Sequence, residues 1–171
     1  MDAKDLVLDA IERTRKATSR ALDGLSQSEI GWRPGPEANC IGFILLHTAR
    51  TEDRFINTRL LGKPQIWESE KWFERFNLPV GETGSGYTRE QLVAFNCPDI
   101  GNLAAYMEAV RAQTVQYLKG TSSRELERVV TLSPSWGEIP IAAALLYIVL
   151  HAAQHAGEVS YIRGLQRGMN Q

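Results

Sequence analysis

The sequence predicts an all-α protein, a four-helix bundle with an irregular, partly helical crossover between helices two and three. Four long segments repeat apolar residues in steps of three and four, the spacing of a helix that faces a core. Prolines and glycines follow the first two segments, at Pro34-Gly35-Pro36 and at Gly62-Lys63-Pro64. A chain of 171 residues is expected to form one domain, residues 1–171, with a sizeable core.

The first predicted helix covers residues 3–24 and is charged on the side opposite its apolar stripe. That stripe consists of Val7, Ala10, Ile11, Thr14, Ala17, Ala21, Leu22 and Leu25. Gly24 is a typical stop signal for such a helix. The segment from there to Ala38 contains Trp32-Arg33-Pro34-Gly35-Pro36, which disfavours a continuous helix.

The second predicted helix runs from Cys40 to about Leu61, with Asn39 as its N-terminal cap. Its inner side is marked by Ile41, Ile44, Leu45, Thr48, Thr51 and Phe55. His47 borders this inner side. Glu52 follows His47 by five residues and is therefore turned about 140° away from it on an ideal helix, which makes it a poor partner for a shared ion.

The crossover, residues 65–97, is the least regular part of the chain. It contains a short aromatic helical segment, WESEKWFERFNLP, and a second helical piece, REQLVAF. A long insertion of this kind often covers a pocket. Simple packing across the end of the bundle is the equally open alternative.

The third predicted helix covers Pro98 to Leu118 and is closed by Gly120. Its inward residues are Leu103, Met107, Val110, Thr114 and Tyr117. A short helical turn, SSRELERV, and the segment SPSWGEIP then lead into the fourth helix, Ile141 to Arg163, with Pro140 in its first turn. The inner stripe of that helix is Ile141, Leu145, Ile148, His151, His155, Val159 and Ile162.

No charged residue occurs from Pro140 to Gly157. A helix of this composition is expected to be covered on more than one side, in the bundle centre or at a subunit contact. It is not expected to span a membrane, because two histidines and Gln154 interrupt the apolar run before it could cross about 30 Å of hydrocarbon.

The only three histidines of the chain fall on or beside these inward stripes. His151 and His155 are one helical turn apart, the spacing of two ligands on one helix, and His47 lies on another helix. Neutral imidazoles that are buried without partners are costly, and a divalent metal removes that cost by taking one nitrogen lone pair from each. The sequence therefore predicts a metal site made by His47, His151 and His155. Core histidines without a metal remain the alternative.

Three protein ligands leave an open position for water or substrate, as in catalytic metal sites. Zinc is the simplest choice, although nickel, iron and copper also accept imidazole ligands. Ala152 stands where the zinc proteases carry glutamate, which argues against protease chemistry of that type. Glu158, three residues after His155, could orient a ligand, handle a proton or act as a fourth ligand. Pairing of Glu158 with an arginine such as Arg163 is the other interpretation.

Composition narrows the function further. The net charge of −1 and the pI near 6.3 give no basic excess for a phosphate backbone, so nucleic-acid binding is not expected. Cys40 and Cys97 form no Cys-x-x-Cys pair and are expected to be reduced thiols. The charged N-terminal residues do not resemble a signal peptide, so a cytoplasmic protein is expected.

The sequence resembles the DinB/YfiT-like superfamily of metalloenzymes across nearly its whole length. Three segments carry the resemblance: Trp32-Arg33-Pro34 with Asn39-Cys40-Ile41-Gly42-Phe43-Ile44; His47-Thr48-Ala49-Arg50-Thr51-Glu52; and Trp136-Gly137 with His151-Ala152-Ala153-Gln154-His155-Ala156-Gly157-Glu158-Val159 and Arg163. The family pattern in the last segment is His-x-x-x-His-x-Gly-Gln-Ile, so Glu158 stands where glutamine is usual.

The resemblance implies a four-helix bundle, often a homodimer, that binds a divalent metal through the three matched histidines. It also implies a small-molecule substrate, since some relatives transfer low-molecular-weight thiols such as bacillithiol or use mycothiol in isomerisation. We therefore expect a metal-dependent thiol S-transferase or hydrolase that uses zinc or nickel and has Glu158 as a proton-handling residue. The alternative is a non-catalytic, metal-binding stress-response protein in which the ion is structural.

Overall fold

The computed structural model describes residues 3–133 and 137–168. Its helices are α1 (Ala3–Leu22), α2 (Gln27–Gly31), α3 (Ile41–Asp53), α4 (Ile66–Ser69), α5 (Trp72–Phe76), α6 (Arg89–Ala94), α7 (Ile100–Gly120), α8 (Ser123–Glu127) and α9 (Ile141–Arg167). A π-helical segment, Arg54–Leu60, extends α3. Strands β1 (Val129–Ser133) and β2 (Gly137–Pro140) pair as an antiparallel hairpin before α9.

The predicted all-α four-helix bundle is confirmed, with α1, α3, α7 and α9 as its long helices. α1 packs mainly on α9, and α3 packs on both α7 and α9. Two hydrophobic clusters form the core. One includes Val159 and the aromatic part of the crossover, and the other includes Ile148 and the π-helical segment. Along α9, the pair His151 and His155 therefore lies between the two clusters.

α3 is the most deeply enclosed helix of the bundle. Every one of its residues except His47 is buried. The crossover explains this burial, because α4 and α5 place Trp67, Trp72 and Phe76 against α7 and the outer side of α3. The predicted partly helical crossover is thus confirmed, and its aromatic half packs in the core.

The helix predicted to be covered on several sides, α9, is exposed along one face of the single chain. Leu146 is 53% and Leu150 is 59% exposed. The uncharged run of this helix was expected to be covered either in the bundle centre or at a subunit contact. For this face, burial in the bundle centre is wrong. A subunit contact stays a prediction.

A buried carboxylate joins the end of α3 to the start of α4. Asp53, which is fully buried, accepts hydrogen bonds from the backbone N–H groups of Ile66 and Trp67 at 3.0 and 2.9 Å. The Tyr106 hydroxyl donates to it at 2.7 Å, and the Arg50 guanidinium lies 3.4 Å away. The carboxylate therefore caps the first turn of α4 and anchors the crossover to the bundle.

Several predicted helix boundaries are corrected by the structure. Cys40 rather than Asn39 is the N-cap residue of α3. α7 begins at Ile100 instead of Pro98, because the Asp99 side chain accepts from the Asn102 N–H and caps it there. Pro140 is the N-cap of α9 and not part of its first turn. Gly24 follows α1 with a φ of +68°, as a stop residue should.

The segment SPSWGEIP was not expected to contain a strand. β1 and β2 pair with Val130 opposite Ile139, and the ladder is irregular between Thr131 and Ser133. The β-branched run in β1 favours this conformation. Trp136, part of the family-like pattern, lies outside the described residues. No helix among the described residues is both long and apolar enough to cross a membrane.

Candidate metal centre

Three imidazoles from two helices converge at the seam between α3 and α9. The Nε2 atom of His151 lies 3.0 Å from Nε2 of His47 and 3.2 Å from Nε2 of His155. One ligand atom from each residue lies within 4.8 Å of the other two. The three histidines that the sequence singled out are thus brought together, and they could hold a metal ion.

In His47 and His155, a hydrogen bond at Nδ1 determines that Nε2 is the nitrogen available to bind a metal. His47 Nδ1 lies 2.8 Å from the Gly84 carbonyl oxygen, and His155 Nδ1 lies 2.7 Å from a Glu158 carboxylate oxygen. Both oxygens can only accept, so each Nδ1 carries the proton. In the neutral rings, Nε2 of His47 and Nε2 of His155 therefore present lone pairs toward His151.

This donor arrangement fits a divalent metal. Two imidazole nitrogens that bind one zinc ion at tetrahedral angles are about 3.4 Å apart, close to the separations found here. A single proton on His151 Nε2 can bridge to one of its neighbours, but it leaves the other lone pair without a partner. A metal ion would take all three lone pairs at once, and the outer hydrogen bonds are the kind that hold metal-bound imidazoles in place.

The surroundings disfavour protonation of the cluster. Burial, together with charge repulsion from His155 and His47, lowers the pKa of His151 to about 4. Burial also lowers the pKa of His47, although its hydrogen bond to Gly84 opposes the shift. The neutral forms of His47 and His151 are therefore favoured near pH 7, and neutral imidazole is the form that binds metals.

Aromatic side chains and the crossover enclose the site from outside the bundle. The Tyr147 ring lies 5.5 Å from the His151 ring, centroid to centroid, and Phe55 stacks on Tyr147 at 5.1 Å. On the other side, Ser85 Oγ lies 3.1 Å from His47 Nδ1. The crossover therefore does two things, because its Gly84–Ser85 turn contacts the site while its aromatic half packs in the core.

Glu52 is confirmed as remote from the three imidazoles. Its carboxylate accepts from the Thr114 hydroxyl at 2.7 Å and pairs with Arg111 at 2.8 Å. Arg163, offered as a partner for Glu158, instead donates to the backbone carbonyls of Ala21 and Asp23. Glu158 itself contacts His155 and, more weakly, Gln154 at 3.4 Å. Of the roles considered for Glu158, this geometry favours orientation of a ligand.

A cavity of ≈ 390 Å³ adjoins His155, whereas His47 and His151 do not line it. Its wall is formed mainly by α1, α3, α7 and α9 and is apolar over most of its area, but it also carries the charged side chains of Arg15, Asp23, Glu52, Glu108 and Arg111. Cavities of a few hundred Å³ that combine apolar and polar lining groups are typical of small-molecule sites.

Sequence reasoning missed the part of the site that comes from the crossover. Gly84 has a φ of +67°, and a Cβ at this position would crowd the backbone of His47. A glycine-rich turn, GETGSGYT, was visible in the sequence, but nothing in its spacing relates it to a histidine on another element. The partner of His155 was visible, because Glu158 lies one turn along the same helix.

Comparisons with known proteins agree with this fold. The family model described as the DinB superfamily matches residues 10–159. A solved structure of a conserved protein from Enterococcus faecalis superposes with a TM-score of 0.85 at 24% sequence identity, covering 99% of this chain and 99% of that one. At that identity the likeness bears on the fold alone. A search of the curated proteins finds no match.

Proposed function

Given that this chain belongs to the DinB superfamily, we propose that it is a divalent-metal-dependent enzyme with His47, His151 and His155 as the metal ligands. The proposed reaction is transfer of a low-molecular-weight thiol to a small electrophile, or hydrolysis of such an electrophile. The observation that carries the proposal is the position of His151 Nε2, which lies 3.0 Å from Nε2 of His47 and 3.2 Å from Nε2 of His155. Zinc or nickel is the proposed metal.

The protein's own residues would position this chemistry. When bound, a divalent ion supplies Lewis acidity, which lowers the pKa of a thiol or water nucleophile. Gly84 and Glu158 hold the rings of His47 and His155 with Nε2 directed inward. Glu158 is also the proposed proton-handling residue, since one of its oxygens has only the weak 3.4 Å contact with Gln154.

The cavity beside His155 supports a small-molecule substrate. Its ≈ 390 Å³ suits a compact electrophile rather than a polymer. The apolar part of its wall suits the carbon skeleton of such a molecule, and charged side chains such as Arg15 and Glu108 could contact its polar groups. Transfer to a thiol is the first activity to test.

Metal content is the direct test of the ligand assignment. Elemental analysis by mass spectrometry of tag-free protein should give about one equivalent of a transition metal per chain, and His155→Ala should contain almost none. Leu165→Ala is the matched variant, because Leu165 is an exposed residue of the same helix outside the site. Full occupancy in His155→Ala would contradict the assignment. An absence of metal in the parent after incubation with Zn²⁺, Ni²⁺, Mn²⁺ and Fe²⁺ would do the same.

Activity is tested separately on the metal-loaded protein. A bimane halide offered with a panel of low-molecular-weight thiols should form the thioether faster than in buffer, and ester substrates test hydrolysis. Removal of the metal by a chelator or the change His151→Ala should abolish the acceleration. If the metal-loaded protein accelerates neither reaction, the enzymatic assignment is wrong even if the ligands are right.

A structural ion is the second candidate function, and the observation that favours it is that the ligands join two helices. An ion bound at 100 times its dissociation constant stabilises the folded state by about 2.7 kcal/mol. In a non-catalytic, metal-binding stress-response protein, this stabilisation would be the whole effect. The two candidates differ in whether metal-loaded protein turns over substrate.

We also propose that the exposed face of α9 binds a second copy of this chain. Exposed apolar residues lie there at helical spacing, with Leu146 and Leu150 four residues apart and small residues at Ala143, Ala153 and Gly157. Small residues between larger apolar ones allow two helices to approach closely. Cytoplasmic location stays a prediction from the sequence.

A further inference from the structure

The two cysteines of the chain, far apart in sequence, meet at the N-terminus of α3. Cys40 is the N-cap residue of this helix and is 1% exposed, whereas Cys97 is half-buried. The Cys97 sulfur packs against Gly42, two residues after Cys40, and each thiol shifts the pKa of the other. Two neighbouring thiols of this kind can be joined by a disulfide where their side chains reach the required geometry.

Gly42 makes this approach possible. A Cβ at this position, in the first turn of α3, would overlap the Cys97 sulfur. Cys97 therefore packs directly on the backbone of the helix that begins beside Cys40. The Gln27 amide contacts the same sulfur at 3.9 Å, so the Cys97 side chain is enclosed by α2 as well.

The local charges make the two thiols unequal. The Cys97 thiol donates to the Pro98 carbonyl oxygen at 3.5 Å, and the N-terminus of a helix favours negative charge on Cys40. The neighbouring Cys97 thiol, the Phe43 backbone N–H and the Arg33 guanidinium lower the pKa of Cys40, although burial opposes the shift. The neighbouring Cys40 thiol and burial raise the pKa of Cys97. Of the two thiols, Cys40 is therefore the one that ionises more readily.

The position of Arg33 is fixed by the backbone around the pair. Its guanidinium donates to the carbonyl oxygens of Ala38 at 2.9 Å and Leu92 at 2.6 Å. Neither contact is with a carboxylate, so the positive charge remains effective at the sulfur atoms. A low-pKa thiolate with a second thiol beside it is the arrangement found in cysteines that react with oxidants.

We propose that Cys40 and Cys97 form a peroxide-reactive thiol pair that closes to an intramolecular disulfide. The Cys40 sulfur attacks one oxygen of hydrogen peroxide, the O–O bond breaks, and the second oxygen leaves as water after taking a proton. The resulting sulfenic acid is attacked by the Cys97 sulfur, the S–O bond breaks, and a second water leaves with the Cys97 proton. Two thiols are thereby oxidised by two electrons, and one peroxide is reduced to two waters.

This assignment is independent of the metal site. The disulfide would join the N-cap of α3 to the segment just before α7 and would enclose the whole crossover in one covalent loop. Cys97 is the more exposed of the two thiols. Disulfides that form in this way in reducing compartments are usually transient and redox-sensing.

The test is made first on the unchanged protein. Purified, reduced protein is treated with hydrogen peroxide and alkylated, and its intact mass is measured. The mass should fall by two hydrogen atoms while both alkylatable thiols are lost, and a reductant should restore them. Digestion should yield one reducible cross-linked peptide that contains residues 40 and 97. Disulfides between two chains, oxidation of one cysteine alone to the sulfinic acid, or two thiols that stay alkylatable would each overturn the proposal.

Two cysteine variants separate the roles of the thiols. Cys97→Ser should stop at a sulfenic acid on Cys40, which dimedone traps. In Cys40→Ser, the remaining Cys97 thiol should react with peroxide at about one tenth of the rate or more slowly still. The reason is that an ordinary thiol is only a few per cent thiolate at pH 7. Equal reactivity of the two variants would contradict the assignment of Cys40 as the nucleophile.

A glycine pair tests the geometry without touching sulfur. Gly42→Ala should displace Cys97 and reduce the yield of disulfide, whereas Gly120→Ala, at a position with open space, should leave it unchanged. If Gly42→Ala does not fold, the experiment on the unchanged protein still decides the proposal. Metal content measured in parallel should not change in Gly120→Ala, which keeps this result separate from the metal assignment.

Discussion

At the scale of single residues, the partner of one ring nitrogen decides what the other nitrogen can bind. His47 depends on a backbone carbonyl, whereas His155 depends on a carboxylate. A carbonyl cannot be removed by mutation, but a carboxylate can. Glu158 is therefore the residue through which the electronic state of the site can be altered experimentally.

Two changes at Glu158 separate orientation from proton handling. Glu158→Gln should retain the metal, because the amide oxygen still accepts from His155 Nδ1, and it should lower turnover if the carboxylate moves a proton. Glu158→Ala removes both roles and should weaken metal binding by about 10–100-fold. Metal titration and turnover are measured on both variants. Unchanged turnover in Glu158→Gln would remove proton transfer from the mechanism.

Asp53 is the residue whose loss should be most costly to stability outside the metal site. Asp53→Asn removes the charge opposite buried Arg50 and weakens the bonds from Tyr106 and from two N–H groups of α4. We expect a loss of about 3–5 kcal/mol in urea unfolding. The exposed pair of Asp9 with Arg13 provides the comparison, since Asp9→Asn breaks only a surface ion pair and should cost far less than Asp53→Asn. Similar losses for both changes would disprove the anchoring role of Asp53.

The three histidines could be singled out from the sequence because they are rare and lie at helical spacing. Arg50 and Asp53 could not be recognised in this way. On a helix such charged residues look like a solvated face, and they are buried only because the crossover folds over them. Tyr106 was missed as well, because its hydroxyl donates to Asp53 and the burial of Asp53 could not be foreseen.

At the scale of elements, the site joins α3 to α9 in a bundle whose core is divided into two clusters. Neutral, partly buried imidazoles bridge the two clusters along α9. In the absence of metal, acidic solution should destabilise this seam. Protonated imidazoles would be partly buried there and would repel one another.

Metal-free protein should therefore lose stability in mild acid. The pKa of His151 is about 4 in the folded chain, against about 6.5 in an unfolded one. The unfolded state binds more protons between these values, so stability falls as the pH drops from about 6.5 to about 4. The Tm of chelator-treated protein is measured across this range. His151→Gln should flatten the dependence, and an equally steep fall in that variant would assign the effect to other groups.

The long helices were predictable because each buries one stripe, but their local irregularities were not. The π-helical segment Arg54–Leu60 has the same residue pattern as an α-helix. Its identity follows from backbone bonds such as Leu61 N–H to the Ile56 carbonyl. The β-hairpin was missed because the run Val129 to Thr131 is too short to show the alternation of apolar and polar residues that marks a strand. The glycine and prolines that follow it indicated a loop.

At the scale of the whole molecule, α9 leaves apolar residues exposed that the bundle itself does not cover. The face is uncharged from Ile141 to Gly157, and Leu146 and Leu150 are more than half exposed. Paired α9 helices would bury both residues.

A charge placed on this face should prevent self-association. Leu150→Glu is expected to shift the protein from dimer to monomer in size-exclusion chromatography with light scattering, because dimerisation would desolvate the carboxylate. Leu6→Glu is the matched change, since Leu6 is 60% exposed on α1. A monomeric parent, or equal dimers in the parent and in Leu150→Glu, would contradict an α9 interface.

The four-helix architecture could be predicted from the sequence, but the position of the crossover could not. Helical spacing predicted four long helices with the histidines on or beside their inward stripes, but it determined neither the spatial order of the helices in the bundle nor its handedness. The orientation of the crossover could not be foreseen, because Gly84 reaches His47 through a turn that carries no side-chain signal of its own.

The order of the ligands along the chain also has a consequence for biosynthesis. His47 and His151 are 104 residues apart, so a growing polypeptide presents the first imidazole long before the other two leave the ribosome. During that interval His47 has its Gly84 partner within the segment already made, but the set of three is incomplete. Tight uptake of an ion would thus report that α9 has joined the bundle.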